Sequence, residues 1–232
     1  MRPPREFGIL PLAGGARPRR TDGEDLSPPN HGVRVKPPAF PPRNWPRLPI
    51  RTRRLTLRLP ERTDVPFVHR ACAHWSTRWG VPLLPRPYRV EDAVEFVRRS
   101  RAQYRARRDV VLTVSGPDGA FVGVAGIWHP SLRNRVGELG YWIAPQARGQ
   151  GFATEAARAM CALGFDTLRL HRIEARTFAR NLASINVLRA VGFRREGLLR
   201  ERTRVGARWL DEVWLARLSR GGSPAGDDRL PA

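Results

Sequence analysis

The stretch APQARGQGFATEAARAM, residues 144–160, decides the fold of this chain, because it turns a strand-like segment into a helix-like one. Gly149 and Gly151 stand in the turn itself. Glycines there let the backbone approach a bound group closely, so that successive N–H groups can point at one anion. The dipole of the following helix favours negative charge at the same place. The stretch therefore predicts an anion-binding turn, and a pyrophosphate fits such a turn well.

Three other interpretations of the turn compete with this one. A Walker-type phosphate loop requires a lysine after its second glycine, but Lys36 is the chain's only lysine, so this interpretation fails. A dinucleotide-binding fingerprint requires a third glycine where Thr154 stands, although Glu174 lies near the distance of a ribose-binding acid. A plain helix start would use the glycines only to turn the chain. The last two interpretations stay open, and the predicted antiparallel hairpin before the turn counts against the fingerprint.

The rest of the chain predicts an α+β domain with a long antiparallel component. Alternating apolar residues predict strands, and apolar residues at helical spacing predict helices. The sequence Gly-Pro-Asp-Gly at 116–119 separates two strands as a hairpin turn does. One face of the helix after the anion-binding turn carries Ala153, Ala156, Ala157, Met160, Leu163 and Gly164. The predicted strands are 53–59, 109–115, 120–129, 135–144, 172–178, 193–201 and 207–218, and the predicted helices are 64–75, 91–106, 151–168 and 182–191.

Two segments of low apolar content flank this domain. Residues 1–47 are proline-rich without a hydrophobic period, and residues 219–232 are small and polar, so we expect disordered tails around a domain at 48–218. No run approaches the ~20 apolar residues of a membrane helix, and we expect no membrane segment. Cys72 and Cys161 have neither metal-ligand nor redox spacing. This favours buried free thiols in a reducing cytoplasm.

The chain has a formal net charge of +21, and most of it lies in residues 48–218. A polyanionic partner, either RNA or a phosphorylated cofactor, is one explanation. Arginine supplies every basic residue except Lys36, beside abundant alanine, proline and glycine. The bias of a GC-rich genome is therefore the other explanation, and the sequence leaves both open.

Residues 138–218 resemble the GNAT superfamily of acetyl-CoA-dependent N-acetyltransferases, and more narrowly its Rim-type branch, named for acetylating the N-termini of ribosomal proteins. The matching stretches are GELGYWIAPQARGQGFATEA, HRIEARTFARNLASINVLRAVGFRREG and WLDEVWLARL. TRRLTLRL at 52–59 and YRVEDAVEFV at 88–97 extend the resemblance to about residues 50–218. It implies the GNAT fold, a mostly antiparallel mixed sheet of about seven strands flanked by about four helices. That sheet would be splayed between its fourth and fifth strands.

The resemblance implies that the anion is the pyrophosphate of acetyl-CoA, the acetyl donor. Gln146 opens the family's Q-x-x-G-x-G motif, and Ile143 and Ala144 would pair through their backbones with the pantetheine arm in the splay. Asn181 would hold the cofactor from the next helix, and it is also a good helix N-cap. The Arg148 side chain would contact a phosphate or be solvated. The phosphates would be gripped by the backbone of Arg148, Gly149, Gln150, Gly151, Phe152 and Ala153.

Acetyl transfer to an amine requires a neutral nucleophile and a donor to the developing oxyanion. A terminal α-amine has a pKa of ~8, so a weak base suffices near neutral pH. Glu138 is the candidate base, because its strand face carries the apolar residues Val136 and Trp142. An ion pair of Glu138 with Arg133 or Arg135 is the structural alternative. The backbone N–H of Ile143 would meet the oxyanion.

The departing thiolate also needs a proton or equivalent stabilisation. Many members of the family place a tyrosine seven residues after the asparagine, but Leu188 stands there in this chain. The Rim-type branch has a serine where Ser184 stands, so the resemblance assigns the cofactor sulfur to Ser184. A helix hydroxyl bonded to the backbone is the alternative for this serine. Neither cysteine lies in a matched motif, and we expect direct transfer in a ternary complex.

The acceptor is the least determined part of the prediction. Trp75 and Trp79 precede a variable proline-broken segment where the family builds its acceptor wall, and Trp142 could join them. The resemblance favours a protein N-terminal α-amine, and it leaves small amines, a ribosomal or nucleic-acid contact, and a monomer or homodimer open. The histidines have no ligand spacing, so we expect no metal. The hypothesis from another class is a non-catalytic module that binds acetyl-CoA or RNA.

Overall fold

The computed structural model describes residues 45–81, 84–131 and 134–219, and the two predicted tails lie almost wholly outside them. Trp45 belongs to the folded part, because its ring packs against Tyr104 at 5.6 Å between centroids. The Tyr104 hydroxyl also donates a hydrogen bond to the carbonyl of Pro46. The packed part of the chain therefore includes Trp45, which lies before the predicted domain boundary at 48.

Within the ranges that the structure describes, one mixed sheet of eight strands forms the centre of the molecule: β1 (Ile50–Arg51), β2 (Thr56–Arg58), β3 (Val110–Ser115), β4 (Phe121–Ser131), β5 (Val136–Ile143), β6 (Arg172–Phe178), β7 (Arg194–Val205) and β8 (Arg208–Leu218). Their order in the sheet is β1-β2-β3-β4-β5-β6-β8-β7. Every neighbouring pair is antiparallel except β5 and β6, which run parallel. Within the described residues the sheet has one strand more than predicted, because the predicted strand at 53–59 is reduced to β2 and the short strand β1 forms before it and pairs with it.

Five α-helices cover the sheet in the part of the chain that the structure describes, where about four were predicted. The predicted helix at 64–75 breaks at His74, whose backbone is extended with ψ 131°, and His74 Nδ1 then caps a new helix by accepting from the N–H of Ser76. The predicted helix at 151–168 is α-helical to Ala162 and continues as a π-helical turn, Leu163–Thr167. The helices are α1 (Val65–Ala73), α2 (Trp75–Gly80), α3 (Val90–Arg105), α4 (Phe152–Ala162) and α5 (Leu182–Ala190). None of the helices in the described ranges is long and apolar enough to cross a membrane.

The two faces of the sheet pack against different helices. Side chains alternate along β5, so Leu139, Tyr141 and Ile143 enter the core shared with α4 and α5. Trp142 enters the smaller core shared with α1 and α3. The predicted apolar face of α4 is confirmed, because Ala153, Ala156, Ala157, Met160, Leu163 and Gly164 are all buried.

The parallel strands β5 and β6 separate soon after they meet. Their ladder joins Val136–Glu138 to Arg172–Glu174 and goes no further, although β5 continues to Ile143 and β6 to Phe178. Beyond the ladder β5 stays paired with β4, and β6 stays paired with β8. The sheet is therefore splayed between the fourth and fifth predicted strands, as expected. We call the space between residues 139–143 and residues 175–178 the wedge.

The close approach of β4 to β5 beside the wedge gives a test of the packing. A Cβ added at Gly123 would lie 2.2 Å from the carbonyl oxygen of Trp142, which the backbone cannot accommodate. We expect Gly123→Ala to destabilise the chain by about 2 kcal/mol or more, measured by chemical denaturation. Gly197→Ala is the control, because no atom lies within 4 Å of its added Cβ. Equal free energies of unfolding for the two variants would contradict this packing.

Candidate functional site

The predicted turn starts α4 through two glycines in the left-handed region, with φ 77° at Gly149 and φ 76° at Gly151. Gly151 is the N-cap, and the first helical hydrogen bond runs from the N–H of Glu155 to its carbonyl, over 3.1 Å. The N–H groups of Phe152, Ala153 and Thr154 precede that bond and have no partner inside the helix. The turn thus presents several backbone donors and the positive end of the helix dipole at one place.

Asn181 lies behind the wedge as the N-cap of α5. Its Oδ1 accepts a hydrogen bond from the N–H of Ser184 at 3.2 Å, so the predicted capping function is confirmed. The side chain is fully buried, and its Nδ2 has no hydrogen-bond partner in the described part of the chain. A buried amide donor without a partner costs free energy unless a ligand or water satisfies it. The amide therefore fits a ligand that brings an acceptor oxygen into the wedge.

Ile143 and Ala144 are the two positions whose backbones were predicted to pair in the wedge, and only Ile143 faces it. The N–H of Ala144 donates to the carbonyl of Val122 in β4 over 2.8 Å, so the predicted pairing of this N–H in the wedge is wrong. Hydrogen bonds alternate between the two sides of an antiparallel strand, so the backbone groups of Ile143 point to the opposite side. Gln146 is exposed in the short turn Pro145–Ala147.

The Arg148 side chain neither projects into solvent nor lies ready for a phosphate. Its Nε donates to the carbonyl of Ile143 at 2.9 Å, and its two terminal nitrogens donate to Ser76 Oγ at 2.7 Å and Thr77 Oγ1 at 2.9 Å. Ser76 and Thr77 are buried residues of α2. Neither predicted interpretation of this side chain holds, because its donors bond the carbonyl of Ile143 and two hydroxyls of α2. Arg148 instead fastens α2 to the turn.

A second arginine that the sequence analysis missed supports the turn from the other side. Arg54 donates to the carbonyl of Gln150 at 2.9 Å, and its guanidinium lies over the ring of Phe152 at 4.8 Å. Its Nε and backbone N–H each donate to the carboxylate of Glu155 at 2.8 Å. Thr52 Oγ1 adds a third hydrogen bond to that carboxylate at 2.7 Å. The local sequence carries no signal for this contact, because about 100 residues separate Arg54 from its partners.

Glu138 lies in an ion pair and not among apolar neighbours as expected. Arg176, on β6, contacts both carboxylate oxygens, with distances of 2.8 Å and 3.2 Å, and both side chains are largely buried. The guanidinium of Arg176 also lies over the ring of Trp214. Arg135, one predicted partner, bonds the carbonyl of Arg169 instead, and the other, Arg133, lies outside the described residues. The apolar surroundings that favoured Glu138 as the base were therefore predicted wrongly, because its carboxylate is paired with Arg176.

Ser184 and Leu188 are both fully buried in α5. The carbonyl of Ser184 accepts a hydrogen bond from the hydroxyl of Tyr141 at 3.4 Å, which joins α5 to β5. The serine thus sits beside the strand that lines the wedge, and its contact with a cofactor sulfur stays a prediction.

The three predicted acceptor tryptophans have different surroundings. Trp142 is 1% exposed and packs against Phe121 in the core, so it cannot contact an acceptor and that prediction is wrong. Trp75 is 58% exposed and stacks on His74. Trp79 meets the ring of Phe178 edge-on, at 5.9 Å between centroids, where β6 ends. Of the three, Trp79 stands where an acceptor could be bound near the wedge.

Trp79 opens onto a cavity of about 140 Å³ that we call the hairpin cavity. Aromatic rings and two carboxylates line it, and such a surface attracts a cationic group. The sequence analysis named only Trp79, because the other lining residues come from the end of β6 and from the β7–β8 hairpin, which are distant in sequence. They are Phe178, Ala179, Arg180, Glu201, Trp209, Leu210 and Asp211.

Comparison with known proteins gives one consistent result. The family model described as acetyltransferase (GNAT) domain matches residues 54–194. The chain is 28% identical to the uncharacterized N-acetyltransferase p20 of Bacillus licheniformis, over 73% of this chain and 95% of that protein. The acetyltransferase (GNAT family) from Bacillus anthracis has a similar structure, with a TM-score of 0.65, 27% identity, and coverage of 74% of this chain and 98% of that one. Mycobacterium smegmatis RimJ in complex with CoA-disulfide follows, with a TM-score of 0.62, 28% identity, and coverage of 74% and 85%.

The support of the turn by Glu155 predicts a specific dependence of stability on pH. Burial raises the pKa of Glu155, but the hydrogen bonds from Thr52 and Arg54 outweigh it and hold the pKa below its usual value. A carboxyl with a lowered folded pKa stabilises the fold above its unfolded pKa, about 4.3, and loses that contribution as pH falls through the folded value. We therefore expect Glu155→Gln to lower the melting temperature at pH 7, and the difference from wild type to shrink below about pH 4.

Glu95→Gln is the control for this measurement. Glu95 also pairs with an arginine, Arg98, but both side chains are largely exposed, so solvent screens their interaction. Thermal unfolding from pH 7 to pH 3 should show little difference between Glu95→Gln and wild type at any pH. A Glu155→Gln difference that does not change with pH would exclude the carboxylate charge as its cause.

Proposed function

The chain belongs to the GNAT family and is an acetyl-CoA-dependent N-acetyltransferase, and from this premise we propose that its acceptor is the N-terminal α-amine of a protein. The hairpin cavity carries the proposal. Its aromatic rings and carboxylates suit an ammonium group, and its volume of about 140 Å³ suits one amine with a small side chain. The Rim-type branch that the sequence resembles is named for this kind of acceptor.

Arg180 in the cavity lining favours a peptide over a polyamine. A guanidinium repels a chain of further ammonium groups, whereas it donates readily to the carbonyl groups that follow an α-amine in a peptide. The exposed side chains of Leu198, Leu199 and Trp209 on the neighbouring hairpin offer apolar surface for residues beyond the first. Three further points stay predictions: the cytoplasmic location, a ribosomal or nucleic-acid contact, and a monomeric or homodimeric state.

The residues of the turn and the wedge fit the acetyl donor. The N–H groups at the start of α4 would hold the pyrophosphate, and Ile143 and the unpartnered Nδ2 of Asn181 would hold the pantetheine arm. When bound, acetyl-CoA supplies a thioester whose carbonyl carbon is attacked by an amine. The N–H of Ile143 faces the wedge and would donate to the developing oxyanion.

The cysteines support direct transfer to the amine. Burial raises the pKa of Cys72 to about 12 and that of Cys161 to about 11, so both are protonated thiols at neutral pH. A thiol is a poor nucleophile compared with a thiolate, and both sulfurs are buried in the two cores. An acetyl-cysteine intermediate is therefore not expected.

The cofactor part of the proposal predicts the effect of a charge in the turn. Gly151→Asp places a carboxylate where the pyrophosphate would bind, so we expect the Kd of CoA, measured by calorimetry, to rise at least 10-fold. Gly119→Asp is the matched control, because Gly119 also has a positive φ of 72° and lies in the β3–β4 hairpin, where no atom lies within 4 Å of an added Cβ. It should bind CoA within about 2-fold of wild type. Unchanged affinity in a folded Gly151→Asp variant would count against the turn as the phosphate site.

The acceptor part is tested with a panel of amines and a thiol-release assay. We expect acetylation of peptides with a free N-terminus, no acetylation of the same peptides with a blocked N-terminus and an internal lysine, and much slower reaction of spermidine. Mass spectrometry would locate the acetyl group on the α-nitrogen. Preference for spermidine, or modification of the internal lysine, would replace the proposed acceptor and leave the acetyltransferase class unchanged.

A further inference from the structure

Glu212 is a buried carboxylate that the proposed function has not used. It lies on β8 and is only 4% exposed. Its Oε1 accepts a hydrogen bond from the hydroxyl of Thr203, and its Oε2 is buried with no partner in the described ranges of the chain. Leaving a carboxylate oxygen buried and unpaired costs free energy. A group kept in that state is a candidate for interaction with a substrate.

The register of the sheet places Glu212 next to the hairpin cavity. Glu212 lies directly opposite Phe178 in the β6–β8 ladder, so the two side chains are neighbours on the same face. Phe178 lines the cavity and contacts Trp79. The residues before Glu212, Leu210 and Asp211, line the cavity as well. Glu212 is therefore screened from solvent by the aromatic wall of the site where the amine is expected.

An irregularity in β7 brings Thr203 to this carboxylate. The register of β7 on β8 shifts between Leu199 and Thr203, so that extra residues of β7 bulge opposite Asp211. Glu201 in the bulge has a left-handed backbone with φ 49°, and its N–H is held by Asp211 Oδ1 at 2.8 Å. Bulges re-aim side chains and are frequent beside active sites, and strained residues cluster there too.

The neighbouring carboxylates on the same sheet face are already neutralised. Glu138 is paired with Arg176, and Glu174 is paired with Arg172. Arg176 precedes Phe178 by two residues on β6, but its hydrogen bonds go to Glu138. Among the described residues, Glu212 has no cationic partner. It is thus the carboxylate on this face that is available to an incoming ammonium group.

We propose that Glu212 is the general base of the acetyl transfer, reached by the acceptor amine when the Trp79 and Phe178 rings part. This inference rests on the proposed function, because it needs an amine in the hairpin cavity. The amine nitrogen forms a bond to the acetyl carbon, and the bond from that carbon to sulfur breaks. The ammonium form of the acceptor first gives one proton to Oε2, which leaves the nitrogen neutral for attack. The second proton that the nitrogen loses passes to the departing sulfur, so the products are an amide and a free thiol, and Glu212 then releases its proton to water.

The test compares variants of the full chain on an acceptor that wild type acetylates. Glu212→Gln keeps the shape and an acceptor for Thr203 but removes the base, so we expect kcat/KM at pH 7 to fall about 100-fold. Because an α-amine with a pKa of ~8 loses its own proton at higher pH, the deficit should shrink to below about 10-fold at pH 9. Glu212→Asp keeps the carboxylate and should recover part of the activity. Glu196→Gln, whose carboxylate pairs with Arg172 away from the cavity, should stay within about 2-fold of wild type.

Two further measurements separate chemistry from folding and from the proposed acceptor. We expect Glu212→Gln to bind CoA with unchanged Kd and to melt no lower than wild type, because it removes a buried charge without a cationic partner. A folded Glu212→Gln variant that keeps kcat/KM at pH 7, or a Glu212→Asp variant no more active than Glu212→Gln, would overturn the base. If wild type acetylates only small amines, the proposed α-amine acceptor is wrong. The same comparison of the Glu212 variants on a small primary amine then still tests whether Glu212 is the base.

Discussion

The parallel strands β5 and β6 share only three residue pairs, and the site depends on their separation. A complete ladder would engage the outward N–H and C=O groups of β5 up to Ile143. Instead β5 remains joined to β4 while β6 follows β8, so these groups end inside the protein without a strand beside them. A strand edge of this kind is completed by an extended ligand. The splay therefore leaves an open strand edge, where we propose that the cofactor binds, and it separates the two halves of the sheet that carry the turn and the hairpin cavity.

Three arginines hold the parts around this opening in place. Arg54 lies just before β2 and contacts the start of α4. Arg148 links the turn to α2, and Arg176 links β6 to β5 through Glu138. Each guanidinium offers several donors in a fixed geometry, so it can bond two or three groups from different elements at once. Lysine would present a single charged nitrogen in these places. Part of the arginine excess is thus structural, a contribution that neither a polyanionic partner nor genome bias explains.

The parts of the structure that were predictable from sequence are those set by near neighbours. Gly149 and Gly151 had to turn the chain, the alanine-rich face of α4 had to be buried, and Asn181 had to cap α5, because each depends on residues within one or two helical turns. The partners of Arg148 and Glu138 could not be predicted in this way. They depend on the order of strands in the sheet and on a helix break at His74, where a side-chain cap starts α2. Alternation along β5 also placed Trp142 correctly on the strand face of Glu138, but it could not show that α1 and α3 bury the tryptophan.

The two carboxylates near the wedge show why burial alone does not identify a base. Glu138 and Glu212 both lie on the sheet face against which Trp79 of α2 packs, and both are shielded from solvent. Arg176 satisfies both oxygens of Glu138, so an incoming ammonium group would have to displace a buried ion pair, which is unfavourable. Among the described residues, Glu212 has a hydroxyl on one oxygen and no partner on the other, so an ammonium group would relieve an existing cost. The two carboxylates therefore differ in their partners. Glu138 has the cationic partner Arg176, whereas the bulge in β7 gives Glu212 a neutral partner, Thr203.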